Sequence, residues 1–297
     1  MKRFLIYIIV FFCIVASIDI VFGVICDYLN THAKGGDTAT HYEATEVQRE
    51  PVLILGSSRA NHHYDPKVFE DSLGLGVYNC GVDGNGILFQ YGRLKMITER
   101  YSPNVIIYDA IPNFDIMPDD NAKYLNWLRR WHGKHDIDSL INDISKLEVV
   151  KLHSSLYKYN GNFIQMLSDN LHPLQEVSYN GYKPLQGNMK YNPKEDEQKV
   201  AEWQPVKLKY FKKMIELCKD NDIKLIVAYS PMFGAKSSLE YEKLTRLCSD
   251  NDITILDHYS DTIFTNHREY FEDAFHLNDN GAKAYSATVA HELKNLL

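Results

Sequence analysis

The sequence predicts an α/β protein with a five-stranded parallel sheet, preceded by an apolar helix able to cross a membrane. Three observations carry this. Short apolar runs at residues 52–55, 76–81, 105–108, 224–229 and 254–257 alternate with helical patterns, the rhythm of βαβ units. Residues 4–26 form a nearly unbroken apolar stretch. Length and composition fit a protein with a sizeable core, since 297 residues carry 45% hydrophobic and 24% charged side chains.

In chain order, Lys2 and Arg3 precede the apolar stretch and hold its start on the cytoplasmic side. About 20 apolar residues span a bilayer as a helix, so residues 1–26 read as a transmembrane signal anchor. Asp19 is the one polar interruption; at the bilayer centre it would cost roughly 2.5–3.5 kcal/mol, but it lies towards the outer end. A cleaved signal peptide is the rival reading, which would make the protein secreted; no A-x-A-like site precedes Cys26. Either way the bulk of the chain is exported to the cell envelope or beyond. Residues 27–50 turn polar around Gly35-Gly36-Asp37 and read as a linker. The main domain is expected at 51–297.

The first strand, 52–55, follows Pro51 and runs into Gly56-Ser57-Ser58-Arg59. In open α/β sheets, ligands bind beyond the carboxyl ends of the strands, so Ser58 is presented to a crevice there. Asp65-Pro66 marks a helix start, ending near Leu73. The second strand ends at Gly81, with Gly84 and Gly86 close by, and glycines permit close backbone approach. A helical pattern then runs to about Tyr101, and the third strand ends in Asp109-Ala110-Ile111-Pro112-Asn113.

From about 118 to 205 the rhythm breaks into an insertion rich in aromatics, including Trp127, Trp131, Tyr157, Tyr159, Phe163, Tyr179, Tyr182, Tyr191 and Trp203. A helical pattern falls near 137–147, and 178–193 reads as loop. These rings suit either a carbohydrate-facing lid or the packing of a peripheral subdomain. Beyond it, Cys218-Lys219-Asp220-Asn221-Asp222-Ile223 and Cys248-Ser249-Asp250-Asn251-Asp252-Ile253 each precede a strand. The likeness reads as shared junction chemistry rather than a repeat. Asn278 or Asp279 caps a last helix.

Net charge of −7 argues against nucleic-acid binding, which needs a dense basic surface. Cys80, Cys218 and Cys248 lie in apolar contexts and read as buried thiols; no pair has metal-ligand spacing, and neither metal nor cofactor is expected.

Serine is a poor nucleophile without a base oriented by a third group. Asp273-Ala274-Phe275-His276 supplies both, three positions apart and just before the final helix. Asp273 can accept the Nδ1 proton of His276, leaving Nε2 to take one from Ser58. Each residue also has a plainer role: Ser57 and Ser58 as helix caps, His276 as a core histidine, His62 and His63 as surface or supporting residues.

With these residues in order, the chain from Pro51 onward resembles the SGNH or GDSL hydrolase superfamily of esterases and acyl hydrolases. Gly56-Ser57-Ser58 stands where that family has G-D-S, Gly81 matches its second block, and Asp273 and His276 match D-x-x-H in full. The resemblance implies a flavodoxin-like three-layer α/β/α fold. It also implies an oxyanion hole from the N–H groups of Ser58 and Gly81 plus an asparagine, for which Asn113 is the candidate. Two departures stand: Ser57 replaces the family's aspartate, and Ile111-Pro112-Asn113-Phe114 lacks the third block's glycine. Losing one oxyanion donor costs roughly 2.7–4 kcal/mol of transition-state stabilisation. Arg59 fits either a substrate carboxylate or a structural ion pair. The implied activity is a membrane-anchored, extracytoplasmic serine esterase cleaving short acyl, notably acetyl, esters on a glycan. Two rivals are an O-acyltransferase using the same residues on a polysaccharide, and a non-catalytic glycan-binding protein on a degenerate hydrolase fold.

Overall fold

A computed structural model describes residues 1–118, 125–172, 179–191 and 200–297. The ends of the expected loop 178–193 and part of the expected insertion 118–205 lie outside the described residues. The chain divides into two compact units, one of residues 1–43 with 125–176, the other of 44–124 with 177–297.

In chain order, the helices are α1 (Lys2–Thr31), α2 (Gly36–Tyr42), α3 (Ser58–His63), α4 (Pro66–Leu73), α5 (Ile87–Thr98), α6 (Pro112–Asp115) and α7 (Asn126–Arg129). They continue as α8 (Ile137–Ile144), α9 (Glu148–Lys151), α10 (Ser155–Tyr159), α11 (Phe163–Leu171), α12 (Pro205–Asp220), α13 (Glu242–Ser249), α14 (Thr262–Thr265) and α15 (Asp279–Leu296). The strands are β1 (Val52–Gly56), β2 (Val77–Asn79), β3 (Val105–Asp109), β4 (Lys224–Tyr229) and β5 (Thr254–Asp257).

The larger unit holds the five strands in one parallel sheet, ordered β2-β1-β3-β4-β5. This is the doubly wound, flavodoxin-like order expected, with β1 at its topological switch point. β1 and β3 are buried on both faces, which is why they read as unbroken apolar runs. Alternate side chains serve opposite layers. Val52, Ile54, Val105, Ile107, Ile226 and Ala228 pack with Tyr64 and Phe69 and with Tyr285, Val289 and Leu293 of α15. On the other face α5 packs against α12, and Tyr108 meets Phe211 edge-on at 5.5 Å.

The two similar junctions owe their likeness to one local solution. Asp222 and Asp252 both take left-handed backbone, with φ of 56° and 60°. Ile223 N–H reaches back to Cys218 O at 2.9 Å and Ile253 N–H to Cys248 O at 3.0 Å, while Asn221 and Asn251 side chains donate to Leu217 O and Leu247 O. Aspartate tolerates this conformation, and the six-to-one bond closes the helix end. The apolar cysteines are buried free thiols, and burial pushes Cys80, Cys218 and Cys248 each up to about 12.

In the smaller unit, residues 2–18 of α1 are exposed on every side, and the helix is long and apolar enough to cross a membrane. One face of its second half is covered, at Gly23, Cys26 and Asn30. Cys26, Tyr159 and Met166 form a small core with Phe22, Leu29 and Phe163, the Phe22 and Phe163 rings lying 5.0 Å apart. Trp127 stacks on His41 at 4.2 Å, and Asp169 accepts the Thr38 N–H of α2 at 2.9 Å. Residues 27–50, which read as a linker, therefore carry the last turn of α1 and the whole of α2. Trp127, Trp131, Tyr159 and Phe163 pack within this unit, and Tyr182 packs in the core of the other.

Two buried carboxyls bind the larger unit's loops. Asp115 accepts Ile87 N–H at 2.7 Å, Ile111 N–H at 2.6 Å and Tyr108 O–H at 2.5 Å, which caps α5 and fixes the chain after β3. Asp109, at the tip of β3, accepts the Tyr64 hydroxyl. Burial pushes both carboxyls up to about 6. Because the folded state holds these protons more tightly, their contribution to stability is full below the ordinary value of 3.8 and is lost as pH rises through about 6. Between those limits the melting temperature of the wild type should fall more steeply than that of Asp109→Asn, which keeps an acceptor for Tyr64 but cannot ionise.

Candidate active site

The site lies at the carboxyl edge of the sheet and begins with a backbone constraint. Gly56 closes β1 at φ +145°, and a Cβ there would sit 2.5 Å from Asp109 O. Only glycine permits that approach, and it turns the chain sharply into α3. Ser57 is the N-cap of α3, so Ser58 is the first helical residue, half-buried at the rim.

Across the crevice, the loop before α15 brings in the other two side chains. His276 Nε2 lies 2.8 Å from Ser58 Oγ. His276 Nδ1 lies 2.9 Å from Asp273 Oδ2 and 3.0 Å from Oδ1. Asp273 also accepts the N–H groups of Phe275 and His276 at 2.7 and 2.9 Å, which closes the D-x-x-H segment into a tight turn. Burial works to raise the Asp273 carboxyl, but His276 and these two N–H groups outweigh it and hold it below the ordinary carboxylate value. An ionised Asp273 bonded to Nδ1–H leaves Nε2 as the acceptor facing the serine hydroxyl.

The surrounding residues hold this arrangement, and several escaped sequence reasoning. His63 Nε2 accepts the Leu277 N–H at 2.9 Å, tying α3 to the residue after His276. His63 is fully buried; burial first, then the nearby His276 and Arg59, keep it neutral, which that acceptor role requires. Asn61 Nδ2 donates to Asp83 Oδ1 at 2.8 Å, and His62 Nε2 approaches Asp83 at 3.2 Å. Burial works to lower His62, yet Asp83 raises it above the ordinary value; Asp83 itself is held at about 2, its burial outweighed by His62. His62 Nδ1 bonds Lys183 O at 2.7 Å. The segment 179–191 continues as a strap: Asn180 O accepts Asn79 N–H, Leu185 O accepts Asp279 N–H, and Tyr191 O–H receives Ala274 N–H. The adjacent histidines and the D-x-x-H-L-N run were visible signals, but nothing in spacing joins 61–63 to 183 or 277.

The remaining candidates sit differently from expectation. Arg59 is 4% exposed; its guanidinium donates to Tyr241 O–H at 3.1 Å and lies 5.6 Å from the Tyr259 ring centre. It is a core residue under α3, where no substrate carboxylate reaches it. Asn113 is an exposed residue of α6, and its backbone carbonyl accepts the Lys207 ammonium at 2.7 Å. The structure does not bring its side chain to Ser58 or His276 among the described contacts. Both expected oxyanion amides are already engaged. Ser58 N–H donates to Ser57 Oγ at 2.6 Å, and Gly81 N–H to Asn79 Oδ1 at 2.9 Å. The cause at Gly81 is the Asn79 side chain, whose Nδ2 is fixed by Ala60 O and Tyr64 O at the end of α3.

Gly81 also has a packing role, because a Cβ there would overlap the backbone of Asn61 and Ala60. Gly81→Ala should therefore displace α3 and lower stability by about 1–3 kcal/mol, as overpacking does, read as a lower melting temperature. Gly74→Ala, in the left-handed region at φ +68° but with nothing within 4 Å of the added Cβ, should cost less.

No protein-family model matches the chain, and no curated protein matches it in sequence. Among solved structures, the chain is similar to one from Desulfitobacterium hafniense described as a lipolytic protein of the G-D-S-L family, at 14% identity and TM-score 0.39 over 81% of this chain and 97% of that one. It is similar to one from Bacteroides fragilis described as an acylhydrolase, at 15% identity and TM-score 0.40 over 90% and 94%. A third is an acetyl xylan esterase, at 14% identity and TM-score 0.39 over 83% and 99%.

Proposed function

We propose that this chain is an SGNH-type serine esterase, anchored by α1 with its larger unit on the extracytoplasmic side. The observation that carries the reading is the relay of Asp273, His276 and Ser58, with Ser58 Oγ 2.8 Å from His276 Nε2. Ser58 Oγ attacks the ester carbonyl carbon while its proton passes to His276 Nε2. The tetrahedral adduct collapses, the C–O bond to the alcohol breaks, and His276 returns the proton to the leaving oxygen. Water then attacks the acyl-serine by the same route, releasing the acid and restoring Ser58. Asp273 stays ionised throughout and stabilises the imidazolium. For the Ser58 and Gly81 amides to bind the oxyanion, Ser57 Oγ and Asn79 Oδ1 must give them up.

Short acyl esters on a glycan are the substrate class we favour. Tyr191 and Phe275 bracket the histidine loop and stay half exposed, offering rings that suit a sugar face. The engaged oxyanion amides favour one second reading, a glycan-binding protein without turnover. Transfer of the acyl group to a sugar hydroxyl would use the same steps with that hydroxyl in place of water.

The deciding experiment uses the full chain in detergent. A fluorophosphonate probe should label the wild type and not Ser58→Ala, and no labelling of the wild type would favour the non-catalytic reading. On p-nitrophenyl acetate, Ser58→Ala should lose at least about 10⁴-fold in kcat, and Asp273→Asn about 10⁴-fold through loss of the correct His276 tautomer. An acylated sugar formed in the presence of an oligosaccharide acceptor would identify transfer.

A further inference from the structure

The smaller unit carries a second message, in where it grips α1. Asp19 accepts three hydrogen bonds from the turn that opens α10: Ser154 O–H at 2.7 Å, Ser155 N–H at 2.8 Å and Leu156 N–H at 2.8 Å. One turn further on, a Cβ at Gly23 would overlap the Ser155 hydroxyl, so α10 rests directly on the backbone of α1. Phe163 of α11 packs on Phe22. Above that level polar contacts join the small core around Cys26: Tyr159 O–H to Asp27, Asn170 Nδ2 to Leu29 O, and Arg130 to Asn30.

Length decides what this means. The bare stretch from Phe4 to Ile18 rises about 22 Å at 1.5 Å per residue, short of the roughly 30 Å hydrocarbon core of a bilayer. A span beginning after Lys2 and Arg3 needs the next turn or so of helix, up to about Gly23, to reach the far side. That turn is the one holding Ser154–Leu156 and Phe163. The Asp19 carboxylate, costly in hydrocarbon on its own, is there satisfied by two N–H groups and a hydroxyl. Two side chains of the segments that grip this level are apolar and outward: Leu156 is 43% exposed and Ile164 of α11 73%.

We propose that the edge of this unit formed by Leu156 and Ile164 is immersed in the outer leaflet of the bilayer, beside α1. The proposal rests on the reading of α1 as a membrane span. The occupant is lipid because the surface continues the apolar face of α1 at the depth Asp19 fixes. Leu171, whose neighbour Asn170 is bonded at the level of Leu29, lies beyond the bilayer although it is equally bare, 64% exposed.

The test uses the full chain with Cys13→Ser, the exposed cysteine, in vesicles of phosphatidylcholine and phosphatidylglycerol. Single cysteines at Ile9, Leu156, Ile164 and Leu171 are labelled with an environment-sensitive fluorophore, after circular-dichroism melting confirms each variant is folded. Labels at Leu156 and Ile164 should be quenched by shallow doxyl-lipids and lose quenching by aqueous iodide, whereas Leu171 should show the reverse. Iodide quenching at Leu156 and Ile164 with lipid quenching at Ile9 would overturn the proposal and leave the anchor standing. Protection at these sites from both quenchers would mean a protein covers them, which also overturns it. Absence of lipid quenching at Ile9 would remove the anchor and the proposal together.

Discussion

The hydrogen bond from Leu277 N–H to His63 Nε2 is the constraint on which the site depends. It joins the helix that begins with Ser58 to the residue that follows His276, so serine and imidazole are each one short step from a shared tie. The bond requires a neutral His63, and full burial beside His276 and Arg59 secures that state. Ser286 of α15 extends the tie, accepting Asp65 N–H and donating to His63 O. The 2.8 Å approach of Nε2 to Ser58 Oγ is thus set by backbone already fixed at both ends, as precise functional geometry demands.

A second layer of order comes from the ends of β1, β2 and β3. Gly56 lies against Asp109 and Ala60, and Gly81 against Ala60 and Asn61, approaches that the missing Cβ atoms allow. Gln90 and Arg93 of α5 reach under this crossing to bond Gly56 O and Cys80 O at 2.5 and 2.6 Å. Satisfying those carbonyls within the protein leaves the loop after β2 held close to α3 and lets Asn79 clamp the far end of that helix. The same clamp occupies Gly81 N–H, so one amide serves stability in this conformation, and oxyanion binding would compete with it.

The sheet and the relay residues were legible because their signals are local: apolar runs buried on both faces, a glycine–serine turn, an aspartate three positions before a histidine. The likeness of the two helix-to-strand junctions was also readable, since Asp222 and Asp252 solve one backbone problem in the same way. What stayed hidden was long-range pairing. Arg59 beside Ser58 looked available to a ligand, yet Tyr241 and Tyr259, some 180–200 positions away, pack on it. The smaller unit was hidden for a related reason. Its helices α7, α9 and α10 are one turn long, too short for periodicity to speak. The partners of the α10 segment on α1 were hidden too: Asp19 read as the one polar interruption of an apolar run, and Asp27 as the start of a linker, until the hydrogen bonds from Ser154 and Tyr159 are known.

The strand order places β1 in the middle of the sheet while the imidazole arrives only after β5. During synthesis the turn carrying Ser58 therefore emerges some two hundred residues before His276, the group that would activate it under the esterase reading. A nascent chain that has reached only about residue 267 can pair β1 with its neighbours but has neither His276 nor the α15 helix that packs on α3. Under the esterase reading, the serine would therefore stay without its base until α15 has docked on α3, and connectivity alone would delay the chemistry.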